Sequence, residues 1–190
     1  DATNPYAYLL QTYFLNRRFA MIKEAMKNDN NILDRSIYED EIFMKMNTEM
    51  GNATKVEYDI YKSLLNNMME ELPYAAHKKS PDLMITIKVS YETMINRIIK
   101  RGRDYEQIEK DPSLVDYYHR LLSHYDDWMN EYDESPLLII DGDKYDFVAD
   151  VKDRVKILET IEDKLYDLGN LEQTKVDELR KAHHEILKQQ

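Results

Sequence analysis

Residues 83–89, Leu-Met-Ile-Thr-Ile-Lys-Val, form an apolar run of strand length that is introduced by Ser80-Pro81-Asp82. A second run of this kind, residues 137–141, follows Ser135-Pro136, and a shorter third run covers residues 31–34. Short runs that are rich in β-branched residues and Leu, and bounded by turn residues, predict buried strands. Long helical stretches separate the three runs. This alternation is typical of an α/β fold with a parallel sheet covered by helices.

The apolar periodicity and the turn residues predict seven helices around these strands. Thr54 is the expected N-cap of one helix, and Ser90 and Gly102 bracket another. The predicted helices cover residues 5–28, 37–50, 54–73, 91–101, 113–132, 151–168 and 171–190. The last has only a thin apolar seam, so it is either a marginal helix that frays or one that docks on a partner. We therefore divide the chain into a main domain, residues 1–168, and a C-terminal helical tail, residues 169–190.

The composition excludes several classes of protein. The 190 residues include 26 Lys and Arg against 37 Asp and Glu, a net charge of −11, which argues against nucleic-acid or anionic-membrane partners. The absence of Cys excludes disulfides, thiolate zinc sites and cysteine catalysis. We expect a soluble, intracellular protein, because no apolar run reaches the roughly 18 residues of a membrane span and no secretory signal pattern is present. The five His lack metal-ligand spacing and are interpreted as surface or structural residues: His77, His119, His124, His183 and His184.

A cluster of basic residues stands out in this acidic chain. Arg97, Lys100, Arg101 and Arg103 lie within seven positions, with Gly102 among them at a predicted helix end. One or two such cations would only complement the helix dipole. Four of them on a flexible turn favour a mobile Arg-rich flap for a highly charged anion such as triphosphate, because guanidinium groups bind phosphate in a bidentate manner.

The triplet Asp34-Arg35-Ser36 follows the first predicted strand and precedes a helix. The carboxyl ends of parallel strands are where α/β proteins bind ligands. A carboxylate beside a guanidinium could hold Mg²⁺ and a phosphate there, or form a simple salt bridge at a helix N-cap. Spacing alone does not separate the two interpretations.

Gln11 and Arg18 are two turns apart on the first predicted helix and share a face with Phe14. They could be ordinary polar residues at the edge of a core, which is the interpretation that these residues alone favour. They could also line a base pocket in which the amide binds a base edge and Phe14 forms a hydrophobic wall.

Four segments together, in this order and spacing, resemble the deoxynucleoside kinase family, and most closely its bacterial deoxyadenosine/deoxyguanosine kinase branch. The segments are residues 4–15, 33–40, 100–107 and 140–147. The resemblance implies a P-loop kinase-like parallel sheet flanked by helices, with an Arg-rich lid, and it identifies residues 1–168 as the kinase domain.

For the substrate, the resemblance implies that Gln11 hydrogen-bonds the nucleobase, with Arg18 and Asp40 as a charged pair beside the base edge. It also implies that Glu106 accepts a hydrogen bond from the sugar 3′-hydroxyl. Asp34 would help to hold Mg²⁺ as the metal ligand.

For the donor, the resemblance implies that Arg97, Arg101 and Arg103 are lid arginines that close on the ATP phosphates. The loop from Asp141 to Phe147, with Asp146 and Phe147, would lie against the donor adenine. The implied catalytic set is Asp34, Arg35, Arg101 and Arg103, in which Arg35 contacts the 5′ region and the phosphates.

The resemblance thus implies a cytoplasmic, Mg²⁺-dependent kinase that uses ATP to phosphorylate the 5′-hydroxyl of deoxyadenosine or deoxyguanosine in nucleotide salvage. A pyrimidine deoxynucleoside kinase or a thymidylate-type kinase is one alternative, and a non-catalytic acidic helical module that binds a partner protein is another. The family pattern and the helix at residues 54–73 favour a homodimer, or a heterodimer with a related subunit.

The family's Gly-rich phosphate loop, with its Lys and Ser, has no counterpart among these residues. The four Gly lie at positions 51, 102, 142 and 169, and none belongs to a Gly-rich run before Lys-Ser or Lys-Thr. We expect this strand-loop-helix unit to precede Asp1, and we expect the 190-residue chain alone to transfer no phosphate.

Overall fold

The computed structural model describes residues 4–75 and 80–188 as an α/β protein. The helices are α1 (Ala7–Ala25), α2 (Asp40–Glu49), α3 (Lys55–Ala75), α4 (Tyr91–Arg101), α5 (Leu114–Glu131), α6 (Val151–Asp167) and α7 (Gln173–Lys188), and the strands are β1 (Met84–Lys88) and β2 (Leu137–Asp141). The chain divides into two compact units. Unit 1 comprises Asp1–Lys79 and Val115–Glu131, and unit 2 comprises Ser80–Leu114 and Tyr132–Gln190.

Unit 1 is helical and has its own core. Helices α1, α2 and α3 pack on one another, and their shared core consists of Leu15, Ile37, Met44, Ala53, Tyr61 and Leu65. Leu15 and Met44 are fully buried and lie within one turn of Arg18 and Asp40 in sequence. The core therefore fixes the backbone on which these two charged residues stand.

Unit 2 contains the parallel sheet that the sequence predicts. β1 and β2 pair in parallel, with Met84 opposite Leu137 and Lys88 opposite Asp141. The Gly142 N–H extends the ladder by donating to the Lys88 carbonyl at 2.7 Å, and α6 packs on β2. Two of the three predicted strands are confirmed, and so is the α/β class.

The predicted helix caps are also present. Thr54 and Glu57 form a reciprocal capping box, in which the Glu57 N–H donates to Thr54 Oγ1 at 3.2 Å and the Thr54 N–H donates to Glu57 Oε2 at 2.7 Å. Ser90 Oγ accepts from the Thr93 N–H at 3.2 Å at the start of α4. Gly102 ends α4 in the left-handed region with φ +71°.

The prediction of a strand at residues 31–34 is wrong. Ile32 is 98% exposed and Leu33 is 42% exposed, and in the described part of the chain only β1 and β2 pair with each other. Asn30 and Arg35 on either side have φ values of 63° and 68°, so the backbone turns at both ends of the run. A short apolar run does not form a strand without a neighbouring strand to take its N–H and C=O groups.

The C-terminal helix docks on its own chain. Arg180 of α7 donates to Glu162 Oε2 at 2.9 Å and to the Glu159 carbonyl at 3.1 Å, both on α6. His183 is buried, with Nε2 3.4 Å from Glu162 Oε1. Burial raises the pKa of Glu162, although His183 and Arg180 oppose this shift. Val176 is buried as well, so residues 173–188 form a packed helix in unit 2.

The division at residues 168–169 stays a prediction, and His77 lies outside the described residues. His183 has the structural role expected of it. Within residues 4–75 and 80–188, no helix combines the length and the apolar character that a membrane span requires.

Candidate functional site

The core of unit 1 holds a buried ion pair. Arg18 on α1 donates to Oδ1 of Asp40, the first residue of α2. Only 16% of the Arg18 side chain and 1% of the Asp40 side chain are exposed. Burial raises the pKa of Asp40 above its ordinary value, and the Arg18 guanidinium opposes that shift. Asp40 Oδ2 is buried and has no hydrogen-bond partner among the described residues.

The face of α1 that the sequence singled out lies beside this pair. The Arg18 guanidinium carbon is 5.8 Å from the centre of the Phe14 ring, and Phe14 is 40% exposed. Gln11, half-buried, lies two helical turns before Arg18. The structure therefore brings Phe14, Arg18 and Asp40 together and places Gln11 on the same face of the helix.

The triplet Asp34-Arg35-Ser36 forms a strained turn, and the salt bridge between Asp34 and Arg35, one of the two interpretations of the sequence, is not formed. Ser36 is the cap, and its Oγ accepts from the Tyr38 N–H at 3.0 Å. Arg35 has φ 68°, a left-handed conformation that costs a non-glycine residue on the order of 1–3 kcal/mol and that is common at functional sites. Asp34 is exposed and forms no ion pair with Arg35, which leaves its carboxylate open to solvent.

Arg35 is held by residues that the sequence analysis missed. Its Nη1 lies 3.9 Å from Glu39 Oε1, and its guanidinium carbon is 4.8 Å from the centre of the Phe43 ring. Tyr125 of α5 packs edge-on against Phe43 at a centroid distance of 6.3 Å. Burial raises the pKa of Glu39 although Arg35 and Arg18 lower it. The spacing of four between Arg35 and Glu39 was the available sequence signal, because such residues meet along one side of a helical turn.

In unit 2, two of the predicted lid arginines share one carboxylate. Arg101 pairs with Glu106 Oε2, and Arg103 Nη1 lies 3.4 Å from Glu106 Oε1. The left-handed Gly102 between the two arginines lets both approach the same carboxylate. Their side chains are 48% and 54% exposed, so water screens these contacts.

The third predicted lid arginine, Arg97, has different partners. Its Nη2 donates to the Gly142 carbonyl at 2.6 Å and to the Tyr145 carbonyl at 3.0 Å. These carbonyls belong to the loop after β2, and we call residues 141–148 the donor loop, since the resemblance assigns Asp141 to Phe147 to the donor adenine. The structure therefore brings Arg97 to that loop, whereas Arg101 and Arg103 contact Glu106.

Asp146 and Phe147 lie in a tight turn of the donor loop. The Asp146 N–H donates to Asp153 Oδ2 at 2.8 Å, and its Oδ1 accepts from the Ala149 N–H at 3.2 Å. The hydrogen bond from the Ala149 N–H is the main reason that the pKa of Asp146 is lowered. This carboxylate is thus ionised and fixed in direction.

The predicted metal ligand, Asp34, is a single exposed carboxylate and is not part of a set of several protein ligands in the part of the chain that the structure describes. In residues 4–75 and 80–188, no group of three or more His, Asp or Glu side chains could hold a metal ion. Mg²⁺ keeps several waters and uses one or two carboxylates together with substrate phosphates. The exposed Asp34 fits that mode of binding.

Three comparisons agree on the family of this chain. The family model described as deoxynucleoside kinase matches residues 1–167. A deoxyguanosine kinase from Lactobacillus acidophilus is 56% identical over 166 residues, which cover 87% of this chain and 72% of that protein. A deoxyadenosine kinase from the same organism is 50% identical over 166 residues, which cover 87% of this chain and 77% of that protein.

Solved structures show the same similarity. The deoxyadenosine kinase from M. mycoides with bound dATP superposes with a TM-score of 0.63 at 30% identity, over 83% of this chain and 75% of that one. The same enzyme with the products dCMP and a flexible dCDP gives a TM-score of 0.62 at 31% identity, over 84% of this chain and 73% of that one.

Proposed function

Because the chain belongs to the deoxynucleoside kinase family, we propose that it transfers the γ-phosphoryl group of ATP to the 5′-hydroxyl of a purine deoxynucleoside. Relatives that are 50–56% identical are named deoxyguanosine and deoxyadenosine kinases. The observation that carries the proposal is the buried Arg18–Asp40 pair, in which Asp40 Oδ2 has no hydrogen-bond partner among the described residues.

This pair suits a base edge that has an acceptor next to an N–H donor. A guanidinium only donates and an ionised carboxylate only accepts, so Arg18 takes the base acceptor and Asp40 takes the base N–H. Guanine offers O6 beside N1–H, and adenine offers N1 beside its amino group. Cytosine offers a similar pattern, so the purine preference rests on the named relatives. The Gln11 amide adds one donor and one acceptor on the same helix face.

Phosphoryl transfer depends on positioning and on neutralisation of the transferring charge. In this proposal Arg35 contacts the 5′ region and the phosphates, Arg101 and Arg103 neutralise the donor phosphates, and Glu106 accepts from the sugar 3′-hydroxyl. Mg²⁺, when bound, adds positive charge to the phosphates, and Asp34 is its protein ligand.

The donor loop receives the adenine of ATP in this proposal, with Asp146 and Phe147 as its contacts. A cytoplasmic location suits an enzyme of nucleotide salvage that uses ATP and has no Cys. The inactivity of the 190-residue chain by itself stays a prediction.

We also propose that the outer face of α3 joins two kinase subunits, either two copies or one copy and a related subunit. A shallow apolar groove on this helix is lined by Val56, Asp59, Ile60, Ser63, Leu64 and Asn67. Val56 is 66% exposed and Ile60 is 51% exposed, which is typical of an interaction surface when such side chains cluster. Light scattering should show that Ile60→Glu dissociates the intact gene product, whereas Asn66→Glu, on the same helix but outside the groove, should not.

The direct test of the activity is transfer of radiolabelled phosphate from ATP by the intact gene product. We expect phosphorylation of deoxyguanosine or deoxyadenosine at a higher kcat/KM than that of deoxycytidine and thymidine. A higher kcat/KM for a pyrimidine would overturn the purine assignment. Absence of transfer to every deoxynucleoside, together with a melting temperature that ATP does not change, would favour the non-catalytic module instead.

A further inference from the structure

The donor loop is held on two sides by arginines that donate to its main chain. Arg97 reaches it from α4 and Arg154 from α6. Arg97 donates to the carbonyls of Gly142 and Tyr145. Arg154 Nε donates to the Phe147 carbonyl at 3.0 Å, and its Nη2 donates to the Val148 carbonyl at 3.2 Å. The two guanidinium groups thus fix four carbonyls in a loop of eight residues.

The start of the donor loop is tied down as well. Asp143 accepts from the Ser90 N–H at 2.9 Å and from Ser90 Oγ at 3.1 Å. Gly142 fits so closely that an added Cβ would lie 2.6 Å from Val89 Cγ1 and 2.8 Å from Ile87 Cγ2. Because this end is held, the path of the remainder, from Tyr145 to Val148, depends on the two arginines together with Asp153, which accepts from the Asp146 N–H at 2.8 Å.

Arginine is suited to this task in a way that lysine is not. The planar guanidinium presents several N–H donors in a fixed geometry, so a single side chain can bind two carbonyls and set the angle between them. A lysine ammonium is a flexible point charge and does not fix that angle. Sequence motifs give no indication of Arg154, which lies outside the Arg-rich cluster and in an ordinary helical pattern.

We propose that Arg97 and Arg154 are positioning residues for the donor nucleotide, which hold the donor loop in the shape that accepts the donor base. The inference rests on the proposed function, because that function places ATP at this loop. Neither arginine needs to touch the reacting phosphate. Their effect should therefore appear in the binding of ATP and not in the binding of the deoxynucleoside.

The test compares Arg154→Met with Lys156→Met in the intact gene product. Lys156 lies two residues further along α6 and is exposed, so its replacement changes the charge equally without touching the loop. We expect Arg154→Met to raise the KM for ATP on the order of tenfold, as the loss of two charge-assisted hydrogen bonds implies. The KM for deoxyguanosine should stay within about twofold, a change too small to reflect a lost hydrogen bond.

A second pair of variants separates the effect of the charge from that of the guanidinium geometry. Arg97→Lys and Arg154→Lys keep the charge but lose the planar guanidinium, so each should raise the KM for ATP, by less than Arg97→Met and Arg154→Met do. Calorimetry should give the same ranking for ATP affinity without any turnover. Equal effects of Arg154→Met and Lys156→Met, or a parallel rise of both KM values, would overturn the proposal.

The two proposals fail in different ways. If the parent enzyme phosphorylates deoxyguanosine and Arg154→Met leaves ATP affinity unchanged, the role of the arginines is refuted and the kinase function stands. If the parent enzyme neither binds ATP nor transfers phosphate, both fall.

Discussion

Each unit pairs arginine with a carboxylate: Arg18 with Asp40 in unit 1, and Arg101 and Arg103 with Glu106 in unit 2. The two sets differ mainly in how far their arginines are exposed, since the Glu106 side chain is itself only 17% exposed. Asp40 is 1% exposed and its arginine 16%, whereas the two lid arginines are about half exposed. A buried pair is costly to break, because the remaining charge is left without water. An exposed set exchanges its partners at little cost.

This difference matches two tasks in one reaction. A base-reading pair benefits from being fixed before the substrate arrives, since an ordered site spends less free energy on binding. In the proposed function, Arg101 and Arg103 would move from one anion to another, and Glu106 would be the anion that they contact before ATP binds.

The largest expected effect is on the lid. In the intact gene product, Arg101→Ala or Arg103→Ala should lower kcat by about 10³-fold or more, because arginines of this kind stabilise the charge of the transition state. The KM for the nucleoside should rise much less. Steady-state kinetics measure both constants. An unchanged kcat in both variants would mean that these arginines only complement the dipole at the end of the helix.

Removing the carboxylate of Asp40 or that of Glu106 should have different effects on the free energy of unfolding. Asp40→Ala should lower the free energy of unfolding by about 3–5 kcal/mol, because Arg18 is left buried and unpaired. Glu106→Ala should change it by less, about 1 kcal/mol, because the Glu106 side chain is only 17% exposed but the two arginines it leaves behind are about half exposed to water. Urea denaturation gives both values, and equal losses would mean that burial does not distinguish the two regions.

A smaller effect is expected from the base-reading amide. Gln11→Leu keeps the bulk of the side chain but leaves base donors and acceptors unpaired, which should weaken nucleoside binding by about 1–3 kcal/mol. Titration of deoxyguanosine and deoxyadenosine measures the loss. Unchanged affinity for both nucleosides would mean that Gln11 is an ordinary polar residue at the edge of the core.

The pKa values of Asp40 and Asp143 should be shifted in opposite directions from that of an ordinary aspartate. Burial raises the pKa of Asp40 above 3.8, so the folded state binds its proton more tightly, and its contribution to stability falls as pH rises through the raised pKa. Hydrogen bonds from Thr93 and Ser90 lower the pKa of Asp143 below 3.8, so its contribution is present above 3.8 and is lost as pH falls through the lowered pKa. Carboxyl carbon chemical shifts in NMR titrations check both directions, and a value for Asp40 below 3.8 would show that Arg18 outweighs burial.

The sequence was most informative where structure is local. The apolar runs predicted β1 and β2, and Thr54 at the start of a helical stretch was predicted as its N-cap. The run at residues 31–34 has the same local pattern, but only a pairing partner makes a strand, and no local pattern reveals one. The buried Glu162 and the pairing of Arg154 with two carbonyls escaped prediction because both depend on contacts across the fold.

For the candidate site, too, the sequence indicated which residues are involved but not most of their contacts. The resemblance indicated Arg18 and Asp40 as a charged pair and Glu106 as a functional residue, but the burial of the pair and the contacts of Glu106 with Arg101 and Arg103 came only from the structure. Arg97 illustrates the limit most clearly. Its place in the Arg-rich cluster suggested a phosphate contact, which stays a prediction, and gave no indication that its side chain donates to two carbonyls of the donor loop.

The most direct test of the contrast between a fixed pair and an exchangeable set is the NMR of arginine side-chain N–H groups in the intact gene product as ATP is added. We expect the signals of Arg101 and Arg103 to shift as these side chains leave Glu106 for the phosphates, while the signal of Arg18 stays in place. A shift of the Arg18 signal with ATP alone, or unmoved signals from Arg101 and Arg103 at saturating ATP, would contradict this expectation.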